Sequence, residues 1–306
     1  MMIDHTLRIR KGELLEYFRN RANEALKELT TTHGEAHGDD IASAVNQEVN
    51  EAKGSLITVI RQTSEAEKWD KSVLLETVLL ATYASYVAML EARNSVRRYE
   101  YMDFSRRIGE LWEPFCRLCF DYPVNDVRVY VPPVFADVKK QLADEILAYI
   151  DKLKLAPKEK SQLKEYYKKV WALVDSGEIK LKLDLHFILN GKKYDVDFKS
   201  GFGSNEKGNT NRLLLVATIY KNLPEPHECV LLVRSEEDTN NNYFQRLKKS
   251  GVWQAACGKE AYIKIGEYSG FDLLSWIKMN IDWEKDLRAD TLKHFADSNL
   301  SDYLKW

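Results

Sequence analysis

The feature that most constrains the fold is an Asn190-Gly191 dipeptide between two segments of alternating polarity. In residues 181–189 every odd position is apolar, and in residues 194–199 every even position is apolar. A period of two is typical of a β-strand with one buried face. Asn-Gly favours a two-residue type I′ turn, because both of its residues adopt positive φ. The sequence therefore predicts a tight antiparallel hairpin.

The register of this hairpin places acidic side chains opposite each other. If Asn190 and Gly191 are the turn, Asp184 faces Asp197 across the ribbon. Directly opposed Cβ atoms are about 5 Å apart, and like charges so placed are destabilising. The repulsion requires a cation, a shared proton or full exposure to solvent. A hard divalent cation such as Mg²⁺ is the natural partner, since it prefers carboxylate oxygens.

A lysine lies beside the two aspartates. Lys199 is two residues beyond Asp197, on the same face of the strand. A metal ion polarises a phosphate and lowers the pKa of a bound water, while a lysine can orient that water or offset developing charge. The alternative is a ribbon whose charged face is merely solvated. The register and the lysine position favour Asp184, Asp197 and Lys199 as catalytic residues, with both aspartates as metal ligands.

His186 lies on the same face and faces Asp195 in the predicted register. Two interpretations stay open for it. It either pairs with Asp195 across the ladder, which we favour, or lies near the metal ion or the phosphate. The first interpretation makes His186 a structural residue and the second a residue of the site.

The rest of the chain predicts helices before and after the hairpin. Apolar residues recur at helical spacing in residues 9–29, 41–62, 66–99, 103–120, 136–155 and 158–174. Further helices are predicted at 210–222, 243–249, 271–279 and 284–296, and further strands at 127–130, 228–234, 252–257 and 261–265. The fold class is therefore α/β, with a mixed sheet flanked by helices and a mainly helical N-terminal region over residues 1–100.

The hairpin and the segments after it resemble the PD-(D/E)xK nuclease superfamily. Its pattern is an acid on one strand, here Asp184, a hairpin, and then the triplet Asp197-Phe198-Lys199 on the next strand. A helix and a further strand come next in the family, as predicted here. Leu183 stands where the family name has proline, and Asp197 stands where glutamate is commoner. The chain is most similar to type II restriction endonucleases, because a helical region adjoins one core.

This resemblance implies a restriction-endonuclease-like core over residues 101–306, with C-terminal helices. It also implies Mg²⁺ as cofactor, double-stranded DNA as substrate and a homodimer. The family often adds a metal-binding acid from a helix before the sheet. Glu110 or Glu113 could fill that place, and Glu110 is preferred.

The segments after the strands contain side chains suited to DNA. Small polar residues and backbone N–H groups can contact phosphates and base edges. The candidates after the hairpin and after the next strand are Ser200, Ser204, Asn205, Lys207, Asn209, Asn211, Arg234 and Asn240. The alternative is that these segments are ordinary loops and turns, in which asparagine is common.

Charge limits the way in which the chain could bind nucleic acid. The formal charge of −2 gives no global attraction to DNA, so binding would require a local basic surface. Arginines cluster at Arg93, Arg97 and Arg98 and again at Arg106 and Arg107. These clusters could contact backbone phosphates or could be solvated helix faces.

Cysteine usage and hydropathy indicate a cytoplasmic protein. The chain has four cysteines and no apolar leader at its start, which is typical of a reducing compartment. Cys116 and Cys119 lie on a predicted helix without a second pair, so we interpret them as packed thiols rather than zinc ligands. The apolar segment at 72–90 contains Glu76, and we expect a buried core helix there rather than a membrane span.

Three functions are compatible with these observations. The first is Mg²⁺-dependent cleavage of duplex DNA at a specific sequence. The second keeps the chemistry but recognises DNA structure, as a repair or recombination nuclease does. The third is a non-catalytic helical interaction protein whose hairpin is simply solvated.

Overall fold

The computed structural model describes residues 11–33, 38–174, 179–203 and 206–306. The fold is mixed α/β, with one sheet and helices before and after it. The first elements are α1 (Lys11–His33), α2 (Gly38–Glu67), α3 (Lys71–Val96), α4 (Tyr101–Asp121), β1 (Arg128–Val129), α5 (Phe135–Lys152), α6 (Pro157–Val174), β2 (Leu185–Leu189) and β3 (Lys192–Lys199). The remaining elements are α7 (Lys207–Lys221), β4 (His227–Val233), α8 (Asn242–Lys248), β5 (Gln254–Cys257), α9 (Lys259–Ser269), α10 (Leu273–Asn280), α11 (Trp283–Asp286) and α12 (Ala289–Asp297).

The five strands form one mixed sheet in the order β1-β2-β3-β4-β5. The pairs β1–β2 and β2–β3 are antiparallel, whereas β3–β4 and β4–β5 are parallel. Each parallel pair is connected by a helix, α7 in the first case and α8 in the second, as parallel strands require. The strand β3 therefore lies at the centre, between an antiparallel and a parallel neighbour.

The predicted hairpin turn is confirmed, and the predicted register is confirmed from Leu185 to Leu189; the predicted pair of Asp184 and Asp197 lies beyond this ladder. Asn190 and Gly191 have φ of 51° and 77°, the signs that a type I′ turn requires. Leu189 pairs with Lys192, and the ladder runs to Leu185 opposite Val196. The regular strand is shorter than the predicted 181–189. It begins at Leu185, and residues 181–184 precede it.

One predicted element near the C-terminus was wrong, and a second is helical as predicted but interrupted. Residues 261–265, predicted as a strand, belong to helix α9. Their buried side chains, Ala261, Tyr262 and Ile265, have a helical spacing that continues to Tyr268. The predicted helix at 284–296 is two helices, α11 and α12, separated near Leu287.

The sheet has an apolar core on each face. One core combines Val196 and Phe198 of the sheet with α1, α2, α3, α4 and α9. The other combines Leu231 and Val233 with α7 and α8. The N-terminal helices thus share a continuous core with one face of the sheet, and α4 is the helix that carries this core onto β3.

Helix α4 has the predicted amphipathic pattern. Its predicted apolar face is buried, and Pro114 lies inside the helix without ending it. Trp112 packs edge-on against Phe198 with ring centroids 5.8 Å apart, and its indole N–H donates to the Tyr262 hydroxyl at 2.9 Å. These contacts fix the rotation of α4 over the sheet. They therefore decide which of its polar residues point to the end of the hairpin.

Helix α3 is the helix within the described ranges that is long and apolar enough to cross a membrane, and 72% of that apolar stretch is buried in the fold. Its Glu91 accepts hydrogen bonds from Arg19 Nε at 2.8 Å and Arg19 Nη2 at 2.6 Å. Asp286, near the C-terminus, accepts from Lys11 at 2.7 Å and from the Tyr83 hydroxyl at 2.8 Å. These buried polar contacts favour a core helix.

Candidate active site at the open end of the hairpin

Asp184 lies where the two hairpin strands begin to separate. Its Oδ2 accepts the backbone N–H of Phe198 at 2.8 Å, in place of a ladder hydrogen bond. Its carbonyl oxygen accepts Nη1 of Arg117, from α4, at 2.8 Å. The carboxylate is therefore held against β3, beside Asp197 and Lys199, by one contact from the hairpin and one from the helix.

Asp197 is fully buried and lies between two cations. Lys199 Nζ is 2.5 Å from its Oδ1, and Arg212 Nη2, from α7, is 3.4 Å from its Oδ2. The Lys199 ammonium therefore pairs directly with Oδ1, and this ion pair offsets part of the cost of burying the carboxylate.

Burial and neighbouring charges act in opposite directions on the pKa values of Asp197 and Lys199. Burial raises the pKa of Asp197 and Asp184 raises it further, while Lys199 and Arg212 act in the opposite direction without cancelling the rise. Burial lowers the pKa of Lys199, but Asp197 and Asp184 outweigh it and raise that pKa above its ordinary value. Lys199 is therefore protonated at neutral pH. The raised pKa of Asp197 shows that the nearby cations do not fully offset burial and the charge of Asp184.

Glu113, rather than Glu110, is the α4 carboxylate that lies next to this group. Glu113 is half-buried, and burial raises its pKa, with further rises from Asp184 and Asp197. Glu110 is exposed and lies 3.5 Å from both Arg106 and Arg107. The preference for Glu110 therefore gives way to Glu113, because Glu110 is exposed and pairs with arginines one turn earlier on its own helix.

The three carboxylates fit a divalent cation by their chemistry. Asp184, Asp197 and Glu113 offer the carboxylate oxygens that Mg²⁺ takes as ligands. Within the described ranges, however, no group of three or more His, Cys, Asp or Glu side chains is gathered closely enough to hold a metal ion. The positive charge next to Asp197 in this structure is that of Lys199.

Some of the predicted DNA contacts form hydrogen bonds within the fold, and others are exposed to solvent. Arg234 donates to Ser200 Oγ at 3.0 and 3.2 Å and to the carbonyls of Tyr303 and Lys305 at 3.1 Å. These bonds tie Arg234 and Ser200 to the C-terminal segment, so they serve the fold.

The remaining predicted contacts lie around α7. Asn240 accepts the Phe202 N–H at 2.8 Å and donates to two carbonyls of its own loop, so it is a turn residue. Asn209 donates to Glu206 at 3.0 Å. Lys207 and Asn211 are exposed near the start of α7. The other two candidates, Ser204 and Asn205, lie outside the described residues.

Arg212 is the site residue that sequence reasoning did not find. It is 41% exposed and reaches Asp197 from the second turn of α7. Its only sequence signal is its position in the helix after the Asp197 strand. No spacing rule links that helix position to the strand, because the intervening loop sets the approach.

The His186 interpretation that we favoured is confirmed, and the pair is part of a larger buried network. The Leu183 N–H donates to His186 Nε2 at 2.9 Å, so the ring proton is on Nδ1 and is donated to Asp195 Oδ1 at 2.7 Å. His227 Nδ1 lies 2.7 Å from Asp195 Oδ2, and the Tyr130 hydroxyl donates to Oδ1 at 2.6 Å. This network joins four neighbouring strands or strand ends and is centred on Asp195, two residues before Asp197 on β3.

The cysteines are buried thiols. Cys116 and Cys119 on α4 and Cys229 and Cys257 in the sheet are free and buried. Burial raises the pKa of Cys116 and of Cys119. Their unreactive surroundings agree with packing rather than redox or metal chemistry.

The chain was also compared with known proteins. No family model, no curated protein and no solved structure matches it.

Proposed function

We propose that this protein is a Mg²⁺-dependent endonuclease that hydrolyses double-stranded DNA at a specific sequence, as type II restriction endonucleases do. The observation that carries the proposal is the grouping of Asp184, Asp197 and Lys199 at the open end of the hairpin, where the fully buried Asp197 pairs with the Lys199 ammonium and lies beside a second aspartate. A helix and a parallel strand come after β3, which supports a restriction-endonuclease-like core.

The carboxylates would hold the metal ion. Asp184, Asp197 and Glu113 would supply its protein ligands. When bound, Mg²⁺ polarises a phosphate and lowers the pKa of a water molecule.

Lys199 and Arg212 would act on the reacting phosphate. The Lys199 ammonium lies beside Asp197 and is positioned to stabilise negative charge that develops on the phosphate oxygens. Arg212 lies at the exposed edge of the site and can donate two hydrogen bonds to one phosphate. Arg212 therefore orients the DNA strand, while Lys199 stabilises the transition state.

DNA would reach the site along the start of α7. Lys207 and Asn211 are exposed there, within one turn or so of Arg212. Because the net charge is −2, binding depends on such local groups rather than on a global field. Two copies acting on the two DNA strands would make the active form a homodimer, which sedimentation of the protein with a cleaved duplex would measure.

The experiment is digestion of plasmid and genome-sized DNA with Mg²⁺, with EDTA as the control. Discrete fragments with a common end sequence support the proposal. Cleavage only at branches or ends would replace sequence specificity by structure specificity. If the protein cuts no DNA with Mg²⁺ or Mn²⁺ at any temperature at which it is folded, the nuclease proposal is lost.

Replacement of Glu113 by Gln is expected to weaken the dependence of cleavage on Mg²⁺. Loss of one charged ligand should raise the Mg²⁺ concentration for half-maximal rate by about 10–100-fold, the range seen when groups that support a metal site are removed. The measurement is a Mg²⁺ titration of the initial rate of plasmid cleavage.

The matched control is Glu284→Gln, which makes the same change at an exposed position on α11. We expect its titration curve to match that of wild type. Equal curves for Glu113→Gln and wild type would show that Glu113 is not a ligand, whatever the roles of Asp184 and Asp197.

A further inference from the structure

A cavity lies at the start of α4, the helix that also carries Glu113. It has a volume of about 420 Å³ and opens between the start of α4 and the facing parts of α2 and α3. Four arginines line it, namely Arg93, Arg97, Arg106 and Arg107. Its volume falls in the range of small-ligand pockets. No residue of the proposed metal site lines this cavity.

The arginines have more donors than their carboxylate neighbours can use. Each guanidinium has five N–H donors, and three carboxylates, Asp39, Asp103 and Glu110, also line the cavity. Arg97 contacts Asp39 directly. The other guanidinium–carboxylate distances are 3.5–3.9 Å, longer than the 2.7–2.9 Å of a well-formed charged hydrogen bond. Among the described residues, these guanidinium groups therefore retain donors for an added anion.

Arg107 has weak partners among the described residues. Its Nε is buried without an acceptor there, one Nη meets the weak acceptor Met89 Sδ at 3.4 Å, and its other contacts are with Glu110 at 3.5 Å and with the Tyr99 side chain. A further cation, Lys53, is close: burial lowers the pKa of Lys53 and Arg107 lowers it further. An anion in this cavity would reduce the repulsion between Lys53 and Arg107 and would accept a hydrogen bond from the buried Arg107 Nε.

The binding groups are partly preorganised. The Arg93 guanidinium stacks on the Tyr99 ring at 4.9 Å and donates to the Arg97 carbonyl. A guanidinium held in this way loses little freedom on binding, and its flat fork of donors matches phosphate oxygens. Phosphate is therefore the anion that this cavity suits best.

The cavity and the carboxylate site share one face of α4. Arg106, Glu110 and Glu113 succeed each other at spacings of four and three residues, so their side chains form a row. The distance from Arg106 to Glu113, the two ends of this row, is about 10 Å along the helix axis, at 1.5 Å per residue. One DNA strand carries a phosphate about every 3.4 Å along the duplex axis, so this distance spans two or three nucleotides.

We propose that this arginine-lined cavity is a phosphate subsite, which binds a backbone phosphate two or three nucleotides from the scissile bond. The inference rests on the proposed function, because the DNA strand is what connects the two sites. Phosphates of a free nucleotide share this chemistry, and the experiment separates the two sources.

The test is equilibrium binding of a fluorescent duplex that contains the cleaved sequence, in EDTA so that no cleavage occurs. Arg107→Gln is expected to weaken binding about tenfold and to lower the slope of log K against log salt by about one. Arg106→Gln, at a 77% exposed position where folding is not at risk, should act in the same direction. The matched control is Arg128→Gln, 76% exposed on β1, which should bind like wild type.

The outcomes separate this inference from the proposed function. Cleavage by wild type, with unchanged binding by both cavity variants, overturns the subsite and leaves the nuclease intact. Arginine-dependent DNA binding without cleavage in Mg²⁺ keeps the subsite and removes the catalytic proposal. Tight binding of ATP or inorganic pyrophosphate that depends on Arg107, with DNA binding unchanged, assigns the cavity to a free phosphate compound and overturns the strand assignment.

Discussion

Replacement of Asp197 by Asn is expected to lower the rate of DNA cleavage by at least about 1,000-fold. The change keeps the shape of the side chain but removes the charge of a buried carboxylate that lies 2.5 Å from Lys199. A catalytic metal ion contributes several kcal/mol to the transition state, and each 1.36 kcal/mol is a factor of ten in rate. The measurement is the initial rate of plasmid linearisation at saturating Mg²⁺.

Binding and folding controls accompany this variant. Duplex binding in EDTA should persist, because Arg212 and the arginine-lined cavity are unchanged. Asp126→Asn, at an 86% exposed carboxylate, is the matched control and should cleave at the wild-type rate. A folded Asp197→Asn protein that cleaves within tenfold of wild type would remove Asp197 from the mechanism.

Replacement of Asp195 by Ala is expected to destabilise the fold by about 3–5 kcal/mol, the range measured when one partner of a buried charged pair is removed. Asp195 is fully buried and accepts from His186, His227 and Tyr130. Without it, buried polar groups of all three lose their acceptor, and each unsatisfied group costs free energy. The measurement is the free energy of unfolding in urea at neutral pH.

Tyr130→Phe is the graded control for this network. It removes a single donor and should cost about 1 kcal/mol.

Burial alone would raise the pKa of Asp195, but the hydrogen bonds from His186, His227 and Tyr130 outweigh burial and lower that pKa. A lowered pKa stabilises the fold above the unfolded value of about 4 and loses that contribution as the pH falls through the folded value. The stability gap between wild type and Asp195→Ala should therefore narrow in acid, and equal losses for Asp195→Ala and Tyr130→Phe would contradict a network centred on the carboxylate.

Local patterns predicted the hairpin because its register depends on a few adjacent residues. Asn190 and Gly191 determine the turn, and the period of two then places each side chain on a face. The same reasoning placed His186 opposite Asp195. It also placed Asp184 next to the strand of Asp197, although the regular ladder begins at Leu185, the residue after Asp184.

Local patterns failed where a short segment fits two structures. Residues 261–265 contain a brief apolar run that suits a strand as well as a helix. The helical choice depends on burial that continues to Tyr268, beyond that run. Glu110 and Glu113 are a similar case, because both are polar residues on one amphipathic helix. The position of α4 along the sheet, which packing such as that of Trp112 on Phe198 determines, places Glu113 near the aspartates.

Sequence patterns were sufficient for the tight turn, the pairing of the two central strands and the position of Asp184 beside the strand of Asp197 and Lys199. These features arise between near neighbours in the chain, where the turn geometry and the side-chain period leave one arrangement. Tertiary packing was needed to bring Arg212 to Asp197, to bring His227 and Tyr130 to Asp195, and to form the arginine-lined cavity between α2, α3 and α4. Those contacts join residues far apart in sequence, and the angles at which helices pack on the sheet decide them.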